Sequence, residues 1–422
     1  MQDRNSTQKG IHSAMSDKPI LIKNGRIPDR KSGKLIASDI LINGGIITAL
    51  GDIPQKKGYH AVNARGNVIF PAFTDLRTHL FIPPYIRTED IRTTAAAALA
   101  GGYGCLLSAP HAPIPVTTPE QIARIIAASG QLPCDIIPVG SMTDAFGKAS
   151  DFDTLISAGA FALADDSSED SGLIFRTMKY CAENDRLLIM HADTGRVQGN
   201  FSDYRGGGKN GCVPEDVRCA TILTLAAKSG CRLHISGVSS GCSARLISIA
   251  KREGVNVSAD TSPQYFSMTS EDMLFYGNNV KLAPPLRSRK DCEMLIEAIC
   301  DGTIDAISTD HCPVTVSEKS ADFENVPRGM LGLQTAFAVS LTNLVRSGYT
   351  DLFTLYRLMS QAPAEILGRN AVIEVGAPGR VAVCDIDKEY EFTESMLRSR
   401  SIVRNSPYIG QILTGSVERV IM

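Results

Sequence analysis

The sequence has little charge of either sign in excess: Lys and Arg number 43 against 45 Asp and Glu, a net charge of −2 over 422 residues. Such a balance supplies no basic surface for nucleic acid or an acidic membrane, so any partner is expected to be chosen by shape or a local site. Long apolar runs are missing as well, and none reaches the roughly 20 residues that span a bilayer. There is no C-x-x-C pair and no signal-peptide pattern. The eleven cysteines, among them Cys105, Cys134, Cys231, Cys312 and Cys384, are therefore expected to be reduced core thiols of a cytoplasmic protein. Histidine is scarce too, at seven residues, so each position carries weight.

What is present is an apolar content of 43% with 21% charge, enough for one large α/β core and a smaller module. Residues 1–18 are polar and aperiodic and read as a disordered tail, with Met15 as an alternative start. Residues 19–67 alternate in short strands broken by Asn-Gly and Gly-Gly turns, the pattern of antiparallel hairpins. Residues 371–422 repeat that rhythm, and the two ends are expected to form one discontinuous β-sandwich.

Between them, residues 68–370 run strand, loop, helix, with no repeat. Strands are expected at Val68 to Asp75, Gly104 to Ala109, Cys134 to Gly140, Ala160 to Ala164, Leu187 to His191, Arg232 to Ile235, Val255 to Ala259 and Ala306 to Ser308. Helices separate them, one opening at Thr118-Pro119 and another spanning Glu215 to Lys228. Eight apolar strands alternating with helices predict a (β/α)8 TIM-type barrel, whose chemistry sits at the C-terminal ends of its strands.

Five of the seven histidines fall at those ends, in Asp75-Leu-Arg77-Thr-His79, Pro110-His111, His191-Ala-Asp193, His234-Ile-Ser-Gly237 and Asp310-His311-Cys312-Pro313. Asp165-Asp166 and Asp260-Thr-Ser-Pro263 close two further strands. In a strand, residues two apart share a face, so Asp75, Arg77 and His79 are expected to address one cavity. The first of these segments has the D-x-H-x-H frame of a barrel metallohydrolase, with arginine at its first imidazole. A guanidinium has five donors and no lone pair, so it cannot ligate zinc. Gly206-Gly-Gly-Lys-Asn-Gly211 lacks the G-x-x-x-x-G-K-[ST] spacing of a phosphate cradle and is read as a loop over the barrel mouth. Cys312 beside His311 is read as a core thiol before a nucleophile.

From Ile20 to Val383 the order of these segments resembles the dihydroorotase family of the amidohydrolase superfamily. The matching landmarks include Thr93-Thr94 running into Gly101-Gly102-Tyr103, Met190-His191, Asn279-Val-Lys-Leu-Ala-Pro284-Pro285-Leu286-Arg287, Asp301-Gly-Thr-Ile-Asp through Asp310-His311, and Gln361 to Gly368. The resemblance implies the barrel-plus-sandwich fold and hydrolysis or closure of a cyclic amide on zinc. It assigns His79, Asp165 or Asp166, and His191 to the metal, and Asp310 to the metal and to the role of general base. It also exposes losses: the first imidazole is Arg77, the strand-six ligand falls on Gly237, and the carboxylate-holding arginine is Phe81. The substrate asparagine is His111, and the second histidine of the last loop is Val314.

At an effective dielectric near 20 and ~4 Å, Arg77 would repel a dication by roughly 8 kcal/mol, and it can instead pair with the acids that held the metal. The expectation is a catalytically degenerate relative that favours no cofactor. Asp310 is its residual catalytic group, and His79, Asp165 and His191 complete a residual metal set. Arg77, His111, Asn279 and Pro284 are expected to face any ligand. By resemblance it would be a partner of aspartate transcarbamoylase in pyrimidine biosynthesis and a homo-oligomer. The alternative is an active mononuclear zinc amidohydrolase, and a third reading is an anion sensor built on Arg77 and His111.

Overall fold

The computed structural model describes residues 18–29, 32–82, 88–111, 114–193, 212–400 and 402–422. The start-site reading at Met15 and the Gly206–Gly211 loop lie outside them.

The chain opens with β1 (Ile20–Asp29), β2 (Lys34–Asn43), β3 (Ile46–Gly51), β4 (His60–Asn63) and β5 (Val68–Pro71). Gly44 and Gly45, both at positive φ (56° and 77°), make the tight turn between β2 and β3, a conformation that side chains with a Cβ resist. Next come β6 (Phe73–Thr78), β7 (Tyr103–Ser108), β8 (Asp135–Ile137), β9 (Val139–Ser141), β10 (Ala162–Asp165), β11 (Leu187–His191), β12 (Arg232–Ser236), β13 (Val257–Thr261) and β14 (Ala306–Ile307). Two long strands close the chain, β15 (Val381–Glu391) and β16 (Ile412–Ile421).

The ends join as expected. One seven-stranded sheet runs β16-β15-β5-β1-β2-β3, with β4 paired to β1, so the last strands complete a sheet begun by the first. It encloses its own core, including Ile22, Ile40, Ile42, Ile69, Val381 and Val383. The Val68 to Asp75 run is two strands, not one. Val68–Pro71 pairs with β15 and belongs to the end sheet, whereas Phe73–Thr78 pairs with β7. Pro71 explains the break, because it has no N–H to continue a ladder.

The parallel strands β6 to β14 form the (β/α)8 barrel. Their ladders run β6-β7-β8 and β9 through β14, with Pro138 interrupting one strand position into β8 and β9. Beyond β14 the His79 amide donates to His311 O at 2.9 Å, where the last strand position meets the first. Helices cover the outside, and the one at Pro119–Ser129 starts in the expected manner: Thr118 and Gln121 form a reciprocal capping box, with Pro119 in the first turn. Phe70 and Phe73 join the two units by packing on Phe337, Tyr356 and Tyr103, with ring centroids 5.5 to 6.4 Å apart. Emptying one such position, as in Phe73→Ala, costs roughly 3–5 kcal/mol. Among the described residues no helix is long and apolar enough to cross a membrane.

Candidate functional site

Arg77 sits at the end of β6 with its side chain almost fully buried, and its guanidinium is shared between two carboxylates from distant parts of the chain. Nη1 and Nη2 each donate to one oxygen of Asp166 at 3.0 Å, a fork-to-fork pair, while Nε donates to Asp310 Oδ1 at 2.9 Å. Two imidazoles flank the cluster: His79 Nε2 lies 3.4 Å from Asp310 Oδ1, and His111 Nδ1 lies 3.4 Å from Asp166 Oδ2. Side chains from the ends of four strand positions thus meet on one guanidinium.

Burial raises both carboxylates' pKa values, but neighbouring charge and hydrogen bonds outweigh it. Arg77 and His111 hold Asp166 well below the ordinary carboxylate range, and His79 and Arg77 hold Asp310 below it. Arg77 is raised despite burial by the same two acids. Asp310 also adopts a left-handed backbone, φ 47°, which is unusual for a residue with a Cβ.

Several expected site residues point elsewhere. Asp75 turns to the Thr309 amide and hydroxyl and to the Thr78 hydroxyl, and burial pushes its carboxyl up to about 7. Asp165 accepts from Thr143 Oγ1 at 2.7 Å and from the Ser167 and Ser168 amides, capping the loop after β10. Its neighbour Asp166 is the acid that faces Arg77. His234 is a core imidazole, fully buried between Ser258 Oγ and Asp260 Oδ2, each at 2.9 Å. The strand-six ligand position therefore stays with Gly237, whose amide donates to Asp260 Oδ1 at 2.8 Å.

His191 comes closest to a ligand's geometry. Its Nδ1 donates to the Asp193 carbonyl at 2.7 Å, which leaves the lone pair on Nε2, buried and without a hydrogen-bond partner among the described residues. A Cβ on Gly237, which is at φ +76°, would lie 2.7 Å from that nitrogen. His191 thus occupies the space that a larger residue at 237 would need. Burial and the Arg77 charge lower its pKa, keeping it neutral.

As arranged, these side chains do not fit a divalent cation. Arg77 occupies both acids, Asp165 faces away, and the described residues bring together no group of three or more His, Cys, Asp or Glu able to hold a metal ion. Nor do the expected ligand contacts converge. Asn279 lines a separate groove of about 510 Å³ with Lys319 and Arg404, and buried Pro284 offers its carbonyl to Tyr265 Oη at 3.1 Å. Val314 is buried, its amide donating to Asn405 Oδ1 at 3.1 Å, and Phe81 is half-buried. The Cys312 thiol is pushed up to about 12 by burial, so it carries no thiolate at neutral pH.

Sequence reasoning missed two polar anchors beneath the mouth. Arg218 donates to His191 O at 2.7 Å, fixing the end of β11. Arg287 pairs with fully buried Glu215 at 2.8 Å, and Glu215 also accepts from the Ser239 and Ser240 amides at 2.9 Å. Arg287 stood inside a recognised motif, but nothing local named a partner 72 residues away.

An eight-strand barrel with a sheet drawn from both chain ends, and its polar groups gathered at the C-terminal strand ends, is the architecture of a barrel hydrolase. The model of the Amidohydrolase family matches residues 68–421, and the chain belongs to that family. Curated relatives place it in the dihydroorotase-like branch. A dihydroorotase of Caldanaerobacter subterraneus subsp. tengcongensis is 35% identical over 417 residues, covering 96% of each chain. A dihydroorotase of Lactococcus lactis subsp. lactis is 32% identical over 414 residues, covering 95% of this chain and 97% of that one. Among solved structures, the L-hydantoinase (dihydropyrimidinase) of Arthrobacter aurescens superposes with a TM-score of 0.84 at 24% identity, over 96% of this chain and 94% of that one, a likeness of fold.

Proposed function

We propose that the chain is a dihydroorotase-like protein of pyrimidine biosynthesis that has lost ordinary dihydroorotase activity and serves as a non-catalytic partner, with aspartate transcarbamoylase as its associate. One observation carries the loss of activity: Arg77 binds Asp166 and Asp310 together, placing a fixed side-chain cation between the acids that the resemblance assigns to the metal.

The chemistry follows from that pairing. A general base works best with a pKa near the operating pH. Asp310 is held below the ordinary carboxylate range, and its Oδ1 is engaged by Arg77 and His79, so it is a poor acceptor for a water proton. Arg77 spends its fork on Asp166 and Nε on Asp310, which also weakens the reading of Arg77 and His111 as an anion sensor. The active mononuclear zinc enzyme is supported by His191 Nε2 but opposed by Asp165, which is engaged by Thr143, Ser167 and Ser168.

Metal analysis of protein purified without chelators, alongside an assay of dihydroorotate ring closure and opening, tests the loss of activity. Substoichiometric zinc and no turnover are expected. Stoichiometric zinc with turnover abolished by Asp310→Asn would overturn the proposal. Co-sedimentation with the cell's aspartate transcarbamoylase tests the partner role, and independent migration at physiological concentration would remove it.

A further inference from the structure

The opposite face of the barrel holds a second cavity, of about 1000 Å³, which the mouth chemistry does not use. It lies at the starts of the strands, where Thr74, Gly104, Asp135 and Phe161 form its floor, and the β2–β3 turn and residues 364–380 cover it. Its volume is at the upper end of small-molecule pockets, about 300–1,000 Å³.

Among the described residues, its charged lining residues are Asp135, Arg369 and Arg380. Both guanidiniums converge on one carboxylate oxygen: Arg369 Nη1 lies 2.6 Å and Arg380 Nη1 2.5 Å from Asp135 Oδ2. Two cations share one anion, so the cavity carries a local excess of one positive charge in a chain of net charge −2. The Cys105 thiol also lines the cavity, its Sγ 3.7 Å from Arg369 Nη1. Burial pushes this thiol up to about 12, so it supplies no counter-charge. The Nε and Nη2 atoms of both arginines have no hydrogen-bond partner among the described residues. A guanidinium fork with spare donors is suited to a planar or tetrahedral oxyanion. Pro71, Ile136, Ile137, Pro138, Phe161 and Leu367 give the remaining wall apolar surface for the body of such a molecule.

We propose that this floor cavity binds a small organic oxyanion, a phosphate ester or carboxylate with an apolar or aromatic body, through Arg369 and Arg380. Being at the far ends of the strands from Arg77, it is a site separate from the mouth.

The chain has no tryptophan, so Ile126→Trp, at a half-exposed residue lining the cavity, introduces a single indole reporter. Titration with UMP, AMP, inorganic phosphate and benzoate is expected to give a saturable emission change with one ligand per chain for at least one organic anion. Preference for the nucleotides identifies a phosphate ester, and preference for benzoate a carboxylate. Arg369→Gln and Arg380→Gln should each weaken binding by at least about tenfold, with Arg369→Lys between Arg369→Gln and the parent. His111→Ala at the mouth should leave it unchanged. Arg369 is half-exposed, so its variants keep the test available if Arg380→Gln does not fold. No saturation with any probe up to about 10 mM, or saturation indifferent to both arginines, would overturn the proposal.

Discussion

Two buried arginines, Arg77 at the barrel mouth and Arg287 beneath it, solve the same electrostatic problem in different ways. Arg287 meets Glu215, and that carboxylate is closed off by the backbone amides of Ser239 and Ser240 and the Ser239 hydroxyl. This is a clasp with backbone donors on the acid. Arg77 instead bridges Asp166 and Asp310, with His79 and His111 at the rim and, among the described residues, no backbone amide donating to either acid. Side chains that converge from separate strand ends and are neutralised by one cation form the arrangement of a site, with an arginine at its centre. The difference separates a structural salt bridge from a cluster assembled across strand ends more clearly than burial does.

The sharpest way to break the comparison is to remove each cation. Arg287→Met removes the cation from the fully buried Glu215 and should cost about 3–5 kcal/mol, read as a lowered midpoint in urea unfolding. Arg77→Met strands two acids that are 18% and 9% exposed, so water and protons can relieve part of the loss. A cost at or below the lower end of that range, about 3 kcal/mol, is expected at neutral pH. Equal losses would mean that the mouth cluster is as structural as the clasp.

The pH dependence sharpens this further. Asp166 and Asp310 have depressed native pKa values, so the stability they contribute is present above the unfolded carboxylate value near 3.8 and is lost as pH falls below it. The gap between the parent and Arg77→Met should therefore shrink on acidification. Asp75 behaves oppositely. Its native value is about 7 against 3.8 unfolded, so the native state holds the extra proton between them, and stability falls as pH rises through that window. Asp75→Asn should flatten the decline between about pH 4 and 7 by up to a few kcal/mol. An unchanged slope in urea titrations across that range would show that Asp75 is not the group responsible.

The mouth was legible where strand periodicity and motif agreed, and illegible where two adjacent residues competed for one role. Alternation grouped Asp75, Arg77 and His79, of which Arg77 and His79 reach Asp310 from the last strand end while Asp75 turns to Thr78 and Thr309. The expected metal set takes Asp165, whereas Asp166 is the acid that faces Arg77. β10 ends at Asp165, whose carboxylate caps the amides of Ser167 and Ser168, and the Asp-x-Ser-Ser pattern was the available signal for that turn. The discontinuous end sheet was visible in the hairpin rhythm of both termini, but the split of Val68 to Asp75 at Pro71 rested on one missing donor that the apolar run concealed. Long-range polar pairs such as Arg287 with Glu215 and Arg369 with Asp135 leave no local periodicity, so the structure alone brings them together.

The smallest expected effect belongs to His111. It is about 30% exposed and lies 3.4 Å from Asp166, which already has two donors from Arg77. A partly exposed contact to an acid that is otherwise satisfied contributes little, so His111→Ala should change stability by no more than about 1 kcal/mol. It should also leave the acid-side narrowing between the parent and Arg77→Met in place. If His111→Ala instead costs as much as Arg77→Met, the imidazole rather than the guanidinium organises Asp166. The mouth would then be organised by a histidine and not by the guanidinium, and the contrast with the Arg287 clasp could no longer be drawn between two buried arginines.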